Sequence, residues 1–112
     1  MKETLWEPSE VRKQQANMSR FIKFINAKYD KDLVSFDQLY DWSIREATAF
    51  WEAMWEFGSI KAACSYEQVV INFDDMLKAH WFVGAKFNFA ENLLRYRDDR
   101  TAYLLRQLRP IE

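Results

Sequence analysis

The side chains able to do chemistry are few in this 112-residue sequence, and they are poorly grouped for it. Cys64 and His80 are the single thiol and the single imidazole. A thiolate beside an imidazole makes a nucleophile–base pair, but the base needs a third group to orient it. No candidate for that role suggests itself here. A metal centre needs several His, Cys or carboxylate ligands at workable spacing, and one His with one Cys does not supply them. The two glycines, Gly58 and Gly84, stand far apart, so there is no Gly-rich phosphate loop. Asp74-Asp75 and Asp98-Asp99 are adjacent acids in polar stretches, the usual signature of solvated turns. Arg95, Arg97 and Arg100 form a local basic cluster of the kind that can grip phosphate. Glu91 stands four residues before Arg95, however, where it can pair with it, and the two aspartates dilute the rest. We therefore assign no catalytic, cofactor-binding or metal-ligating residue from the sequence.

What the sequence does have is aromatic surface. Five Trp, five Tyr and nine Phe make 17% of the chain, against an ordinary apolar fraction of 49%. Aromatic side chains carry large buried areas in cores and interfaces. Either the core is unusually aromatic or part of this surface is meant for a partner. The net charge of −1 gives no electrostatic case for nucleic acid or an anionic membrane. No apolar run approaches the 18 or so residues of a membrane span. The first residues lack the apolar core of a signal peptide, and a lone cysteine makes no internal disulfide. The expected compartment is cytoplasmic, and the expected organisation is a single domain over 1–112.

Two glycines and two prolines leave few chain breaks, which favours helices. Residues 1–7 read as an extended arm anchored by Trp6. Ser9 is a plausible N-cap, and Val11, Met18, Ile22, Ile25 and Tyr29 follow on one helical face, widened by Phe21 and Phe24. Ala16-Asn17 can interrupt that helix, because Asn prefers caps. Ser35-Phe36-Asp37-Gln38 has the form of a capping box. It starts a helix to about Arg45, with Phe36, Leu39, Tyr40 and Ser43 on one face. After a small break a further helix starts near Ala47, with Phe50, Trp51, Met54 and Trp55 as an aromatic face and Gly58 at its C′ position. Tyr66–Phe73 carries Val69-Val70-Ile71 and reads as a short strand or a short helix. Asp74–Ala79 reads as loop or one turn. Asn88-Phe89-Ala90-Glu91 is a capping box in form, placing Phe89, Asn92, Leu93 and Tyr96 along one face. Thr101–Leu105 has a strand-like start. The expected fold is mainly α, a small bundle of about four to five helices with an extended N-terminal arm, an irregular aromatic-rich segment and possible short strands.

That irregular segment, Trp81–Phe89, holds four aromatics around Gly84. Aromatics on irregular surface backbone suggest docking, and the residues themselves leave internal core and partner interface equally open.

Several ordered stretches resemble the N-terminal domains of acetoacetyl-CoA synthetases, within the acetyl-CoA synthetase branch of AMP-forming adenylating enzymes. They are Leu5-Trp6-Glu7-Pro8-Ser9, Asn17-Met18 with Arg20-Phe21, and Phe24-Ile25-Asn26. Tyr40-Asp41-Trp42-Ser43, Phe50-Trp51 with Trp55, and Trp81-Phe82 with Gly84-Ala85 follow. The last is Asn88-Phe89-Ala90-Glu91-Asn92-Leu93-Leu94, whose continuation through Arg95-Tyr96-Arg97 favours the acetoacetate branch. The resemblance covers about residues 3–105, and 107–112 depart from it. Val83 stands where the family often has proline, Leu77-Lys78 replaces a more turn-like pair, and His80 replaces a more usual basic residue.

The resemblance implies the helical N-terminal cap of an ATP-dependent ligase of acetoacetate and CoA, as a domain in isolation or a truncated reading frame. ATP, Mg²⁺ and CoA belong to the full-length family, and the residues that hold them match no position here. The implied partner is a large nucleotide-binding domain. Its expected contact residues are Trp6, Trp81, Phe82, Gly84, Phe87, Asn88, Phe89 and Asn92. An uncovered cap would also be prone to homodimerise through apolar surface. The alternative is a stand-alone helical interaction module derived from the same domain.

Overall fold

The computed structural model describes residues 3–107. Five helices and one hairpin follow in chain order: α1 Glu10–Gln15, α2 Asn17–Tyr29, α3 Phe36–Arg45, α4 Ala47–Phe57, β1 Gln68–Ile71, β2 His80–Val83 and α5 Phe89–Leu93. The mainly α expectation holds. Among the described residues no helix is long and apolar enough to cross a membrane.

Local chemistry sets the boundaries. Ser9 caps α1 by accepting from the Arg12 amide at 3.3 Å. Ala16, extended at ψ 147°, separates α1 from α2 at the predicted interruption. Ser35 caps α3 through the Gln38 amide, while the Gln38 side chain reaches back to the Val34 amide at 2.7 Å. This is the capping box displaced by one residue. Glu46 alone divides α3 from α4.

The end of α4 corrects one expectation. Gly58 is the last cap position, with an ordinary φ of −73°. The left-handed residue is Ser59, at φ 51°. Its amide bonds Glu56 O, and the Ile60 amide bonds Trp55 O, which together make a Schellman motif. Gly58 is favoured for space rather than for backbone freedom, because a Cβ there would lie 3.0 Å from Met54 O.

Phe21, Ile25, Leu39, Trp42 and Ala53 form the buried centre, from α2, α3 and α4. Phe24, Phe50, Met54 and Phe57 close around it. The predicted face of α2 is therefore half right. Phe21 and Ile25 are inside, but Val11 and Met18 are exposed. On α3 the buried residues are Leu39 and Trp42, while Phe36 and Tyr40 face solvent. A period of 3.6 allows two apolar stripes on one helix, and periodicity alone does not say which one faces the core.

Polar anchors fix the layers. The Asn26 side chain both donates to and accepts from the backbone of Leu33, each at 2.9 Å. Tyr29 Oη donates to Ala49 O at 3.0 Å. Lys28 pairs with Glu56 at 2.5 Å and with Glu52 at 3.7 Å. Burial works against the Lys28 charge, but the bond to Glu56 and the fields of both glutamates outweigh it and raise its pKa above the ordinary 10.5.

The segment Val69-Val70-Ile71 is strand. It pairs antiparallel with β2 in the register Gln68↔Val83, Val70↔Trp81 and Ile71↔His80. The stretch expected to be wholly irregular thus begins as a strand, because Trp81, Phe82 and Val83 have residues that favour a pleated, half-buried surface. An Asn72–Ala79 turn joins the strands, and Asn72 takes the left-handed conformation (φ 53°) that its short side chain tolerates. After α5, no helix or strand occurs in 94–107, so the strand-like start at Thr101 is not realised. Residues 108–112, most of the divergent C-terminal stretch, lie outside the described residues, as do the first two residues of the arm.

Candidate docking surface

α4 is apolar nearly all round because it is covered on two sides. Phe50, Ala53 and Phe57 face α2 and α3. Trp51 and Trp55, one turn apart, face the hairpin. Trp51 meets Trp81 edge-on with centroids 5.7 Å apart, and Trp55 meets Phe82 at 4.8 Å. In a regular strand, neighbours such as Trp81 and Phe82 point to opposite faces. Here both reach the same helix because Phe82 is left-handed, at φ 48°. This is a costly conformation for a bulky residue, held by the packing of its ring on Trp55 and on Tyr66 at 5.4 Å. Burial raises the pKa of the Tyr66 phenol above its ordinary 10.0.

Gly84 follows in the left-handed region at φ 84°, and a Cβ there would also crowd Glu67 Cγ at 3.3 Å. The chain then turns back so that Lys86 pairs with Cys64, and Phe87 meets Trp55 at 5.9 Å. Trp51, Met54, Trp55, Ile60, Phe82 and Phe87 line an open apolar groove of about 250 Å³. Of the predicted contact residues, Phe82 is thus mainly internal, while Trp81 and Phe87 are shared between internal contacts and exposed surface.

α5 is built the other way round from an ordinary surface helix. None of its residues is buried. Asn92, its one half-buried residue, turns inward. Asn92 accepts from the Lys61 amide at 2.8 Å and donates to Lys61 O at 2.9 Å. Arg95, just beyond the helix, donates to Gly58 O at 2.6 Å, to Ser59 O at 3.1 Å and to Asn92 O at 2.9 Å. Its guanidinium thus sits on the carbonyl end of α4, where a cation is favoured. The i, i+4 ion pair with Glu91 is not formed among the described residues, because Arg95 is already committed to those carbonyls. Meanwhile Phe89 is 74% exposed and Leu93 65%, with Leu94 and Tyr96 also outward. Asn88 accepts from the Glu91 amide at 3.2 Å and caps the helix. Asn88 and Asn92 are accordingly architectural, whereas Phe89 is a free surface. Trp6 is exposed on the arm, away from any described aromatic contact.

The chemical alternatives lose ground on geometry. Cys64 pairs with Lys86 near the open end of the hairpin, and His80 pairs with Ile71 at the turn end. The ladder from Gln68 to Ile71 lies between them, and no hydrogen bond joins the thiol to the imidazole among the described residues. Among the described residues no three His, Cys, Asp or Glu side chains are grouped to hold a metal ion. Asp75 accepts from the Leu77 amide and Asp98 from the Arg100 amide and guanidinium, as turn acids do. The exposed α5 apolar face and its inward polar latch were not legible as such. The expected single face of Phe89, Asn92, Leu93 and Tyr96 is parted in the structure, with Asn92 turned to Lys61 and the other three outward.

The family described as acetyl-coenzyme A synthetase N-terminus matches residues 36–93. An acetoacetyl-coenzyme A synthetase of Rhizobium meliloti (strain 1021) is 34% identical over 102 residues, which is 91% of this chain and 16% of the relative. The acetoacetyl-CoA synthetase of Rattus norvegicus is 34% identical over 108 residues, 94% of this chain and again 16% of the relative. A malonamoyl-CoA synthetase of Penicillium aethiopicum is 37% identical over 93 residues, covering 82% of this chain and 13% of its own length. The solved acetoacetyl-CoA synthetase from Streptomyces lividans superposes with a TM-score of 0.72 at 30% identity, covering 80% of this chain and 14% of that one. The chain thus spans about 16% of the length of the synthetases it matches, and a large further domain is implied in those proteins. With the match spanning α3 to α5, the aromatic hairpin included, the chain belongs to the acetyl-coenzyme A synthetase N-terminus family.

Proposed function

We propose that this chain is the non-catalytic N-terminal cap of an acetoacetyl-CoA synthetase, and that it docks on the nucleotide-binding body of that enzyme. The observation that carries the reading is the reversed polarity of α5. A short helix that latches inward through Asn92 and Arg95 and holds Phe89 and Leu93 outward has no reason to exist in water alone. Large exposed apolar patches on soluble domains mark interaction sites. The outward residues of α5, with Trp81 and Phe87 at the hairpin, supply such a patch. Trp6, on the exposed arm, is a further contact under this reading.

In the complete enzyme ATP, Mg²⁺ and CoA are handled by the body, and the reaction joins acetoacetate to CoA through an acyl-adenylate. The cap contributes position only. The Penicillium relative favours a second reading of the acid, malonamate in place of acetoacetate. Cytoplasmic location fits either acid. The test is ATP–diphosphate exchange driven by each acid, run on the chain alone and on a chimera. In the chimera the chain replaces the matching region of the Streptomyces lividans synthetase. No exchange by the chain and acetoacetate-driven exchange by the chimera is the expected result. Turnover by the isolated chain would overturn the cap reading and favour an enzyme in its own right. A folded but inactive chimera would favour the stand-alone interaction module.

A further inference from the structure

The outward stripe of α3 carries a second surface, made by elements other than the hairpin and α5. Phe36, Tyr40 and Ile44 recur every four residues along one side of this ten-residue helix. They are 58%, 54% and 58% exposed. On a helical wheel they lie about 130° from the buried pair Leu39 and Trp42. Phe36 and Tyr40 stack on each other at 6.2 Å, so the stripe is a preformed ridge. Beside it runs an apolar groove of about 280 Å³, walled by Met18, Phe50 and Met54 and by Phe36 and Tyr40 of the ridge.

We propose that this face is the interface of a two-fold dimer of the chain, with α3 packed antiparallel on α3 of the second copy. Ridge and groove lie side by side on one surface, which is the arrangement a self-complementary contact requires. In that packing Tyr40 lies at the axis against its own counterpart, and Ile44 of each copy meets Phe36 of the other at the groove. The area is of the right size. With aromatic side chains at roughly 200 Å² each, the exposed parts of Phe36, Tyr40, Ile44 and Met18 sum to about 400 Å² of apolar surface per copy. A standard interface removes about 800 Å² per partner, somewhat over half of it apolar.

The side-by-side ridge and groove and the area they offer favour a second copy of the chain over an unlike partner, and the groove meets the hairpin groove only at Met54. The proposal stands apart from the synthetase reading, since it needs only the α3 face.

The test is sedimentation velocity of the 112-residue chain from about 1 to 100 μM, with disulfide trapping as a second measurement. The expected result is a species of twice the 13.5 kDa chain mass that becomes monomeric in Tyr40→Glu while its circular dichroism is unchanged. In a Cys64→Ser background, Tyr40→Cys is expected to cross-link with itself under mild oxidation. Phe36→Cys is expected to cross-link only when mixed with Ile44→Cys. A chain that stays monomeric at 100 μM overturns the proposal, and leaves the stripe to the remainder of a synthetase. A dimer that survives Tyr40→Glu but dissociates in Leu93→Glu also overturns it, by placing the contact on α5.

Discussion

Removing the Asn92 side chain isolates what holds α5 in place. Asn92→Ala deletes both bonds to Lys61, at 2.8 and 2.9 Å, and strips Arg95 of a neighbouring acceptor at 3.4 Å. A hydrogen bond of this kind contributes about 0.5–1.5 kcal/mol net. The two together come to about 1–3 kcal/mol for the local latch. α5 has no buried residue to offset that loss, so the helix and its capping bond at Asn88 should open together. The centre formed by Phe21, Ile25, Leu39, Trp42 and Ala53 shares no contact with the latch, so global unfolding should change little. Amide hydrogen exchange separates the two levels. Lys61, Asn92 and Leu94 amides should exchange about 5- to 150-fold faster in Asn92→Ala, while the α2 and α4 amides keep their protection. Asn92→Asp keeps the acceptor for the Lys61 amide but loses the donor to Lys61 O, and should fall between. Unchanged protection of α5 in Asn92→Ala would refute the latch, and would mean that apolar packing holds the helix after all.

Two further outcomes follow from particular positions. Ser59→Gly should stabilise the chain by about 0.5–1 kcal/mol, because Ser59 holds the left-handed position of the Schellman motif at φ 51°; a denaturant midpoint that falls instead would contradict that assignment. Stability should be flat through neutral pH and decline above about pH 10. Lys28, Tyr29 and Tyr66 all have pKa values raised from 10.5, 10.0 and 10.0, so their contributions are complete below those values and are lost as pH rises through the folded-state ones. Thermal melts from pH 7 to 11.5 read this directly, and a chain equally stable at pH 7 and 11.5 would contradict it.

Much of the helical layer was legible because its signals are local. The Ser9 and Ser35 caps, the break at Ala16 and the single-residue divide at Glu46 each depend on chemistry within a few residues. The hairpin was legible only in part. Val69-Val70-Ile71 left short strand and short helix both open, β2 needed its partner to be recognised, and Phe82 at φ 48° breaks the alternation by which a strand is read. The orientation of α3 and α5 was not legible at all. Phe36, Tyr40 and Ile44 are as apolar as Leu39 and Trp42, and only the packing against α2 and α4 decides which set is buried. The same holds for α5, where Arg95 reads as one of three clustered arginines until Gly58 and Ser59 are seen beside it. Of the eight expected contact residues, Asn88 and Asn92 proved to be architectural, Phe82 mainly internal and Gly84 a backbone requirement. Trp6, Trp81, Phe87 and Phe89 present exposed aromatic surface, and Gly84 and Asn88 are exposed as well.

The outward face of α5 is where the cap reading stands or falls. The direct measurement is acetoacetate-driven ATP–diphosphate exchange by the Streptomyces lividans chimera, compared with the same chimera carrying Phe89→Glu and Leu93→Glu. Both residues are exposed in this chain, so the double variant should leave its fold intact when measured alone by circular dichroism. The expected result is a chimera that loses at least tenfold in exchange, or separates from the body on limited proteolysis, while the isolated variant melts as the parent does. Exchange and protease resistance equal to those of the unsubstituted chimera would contradict docking through this face.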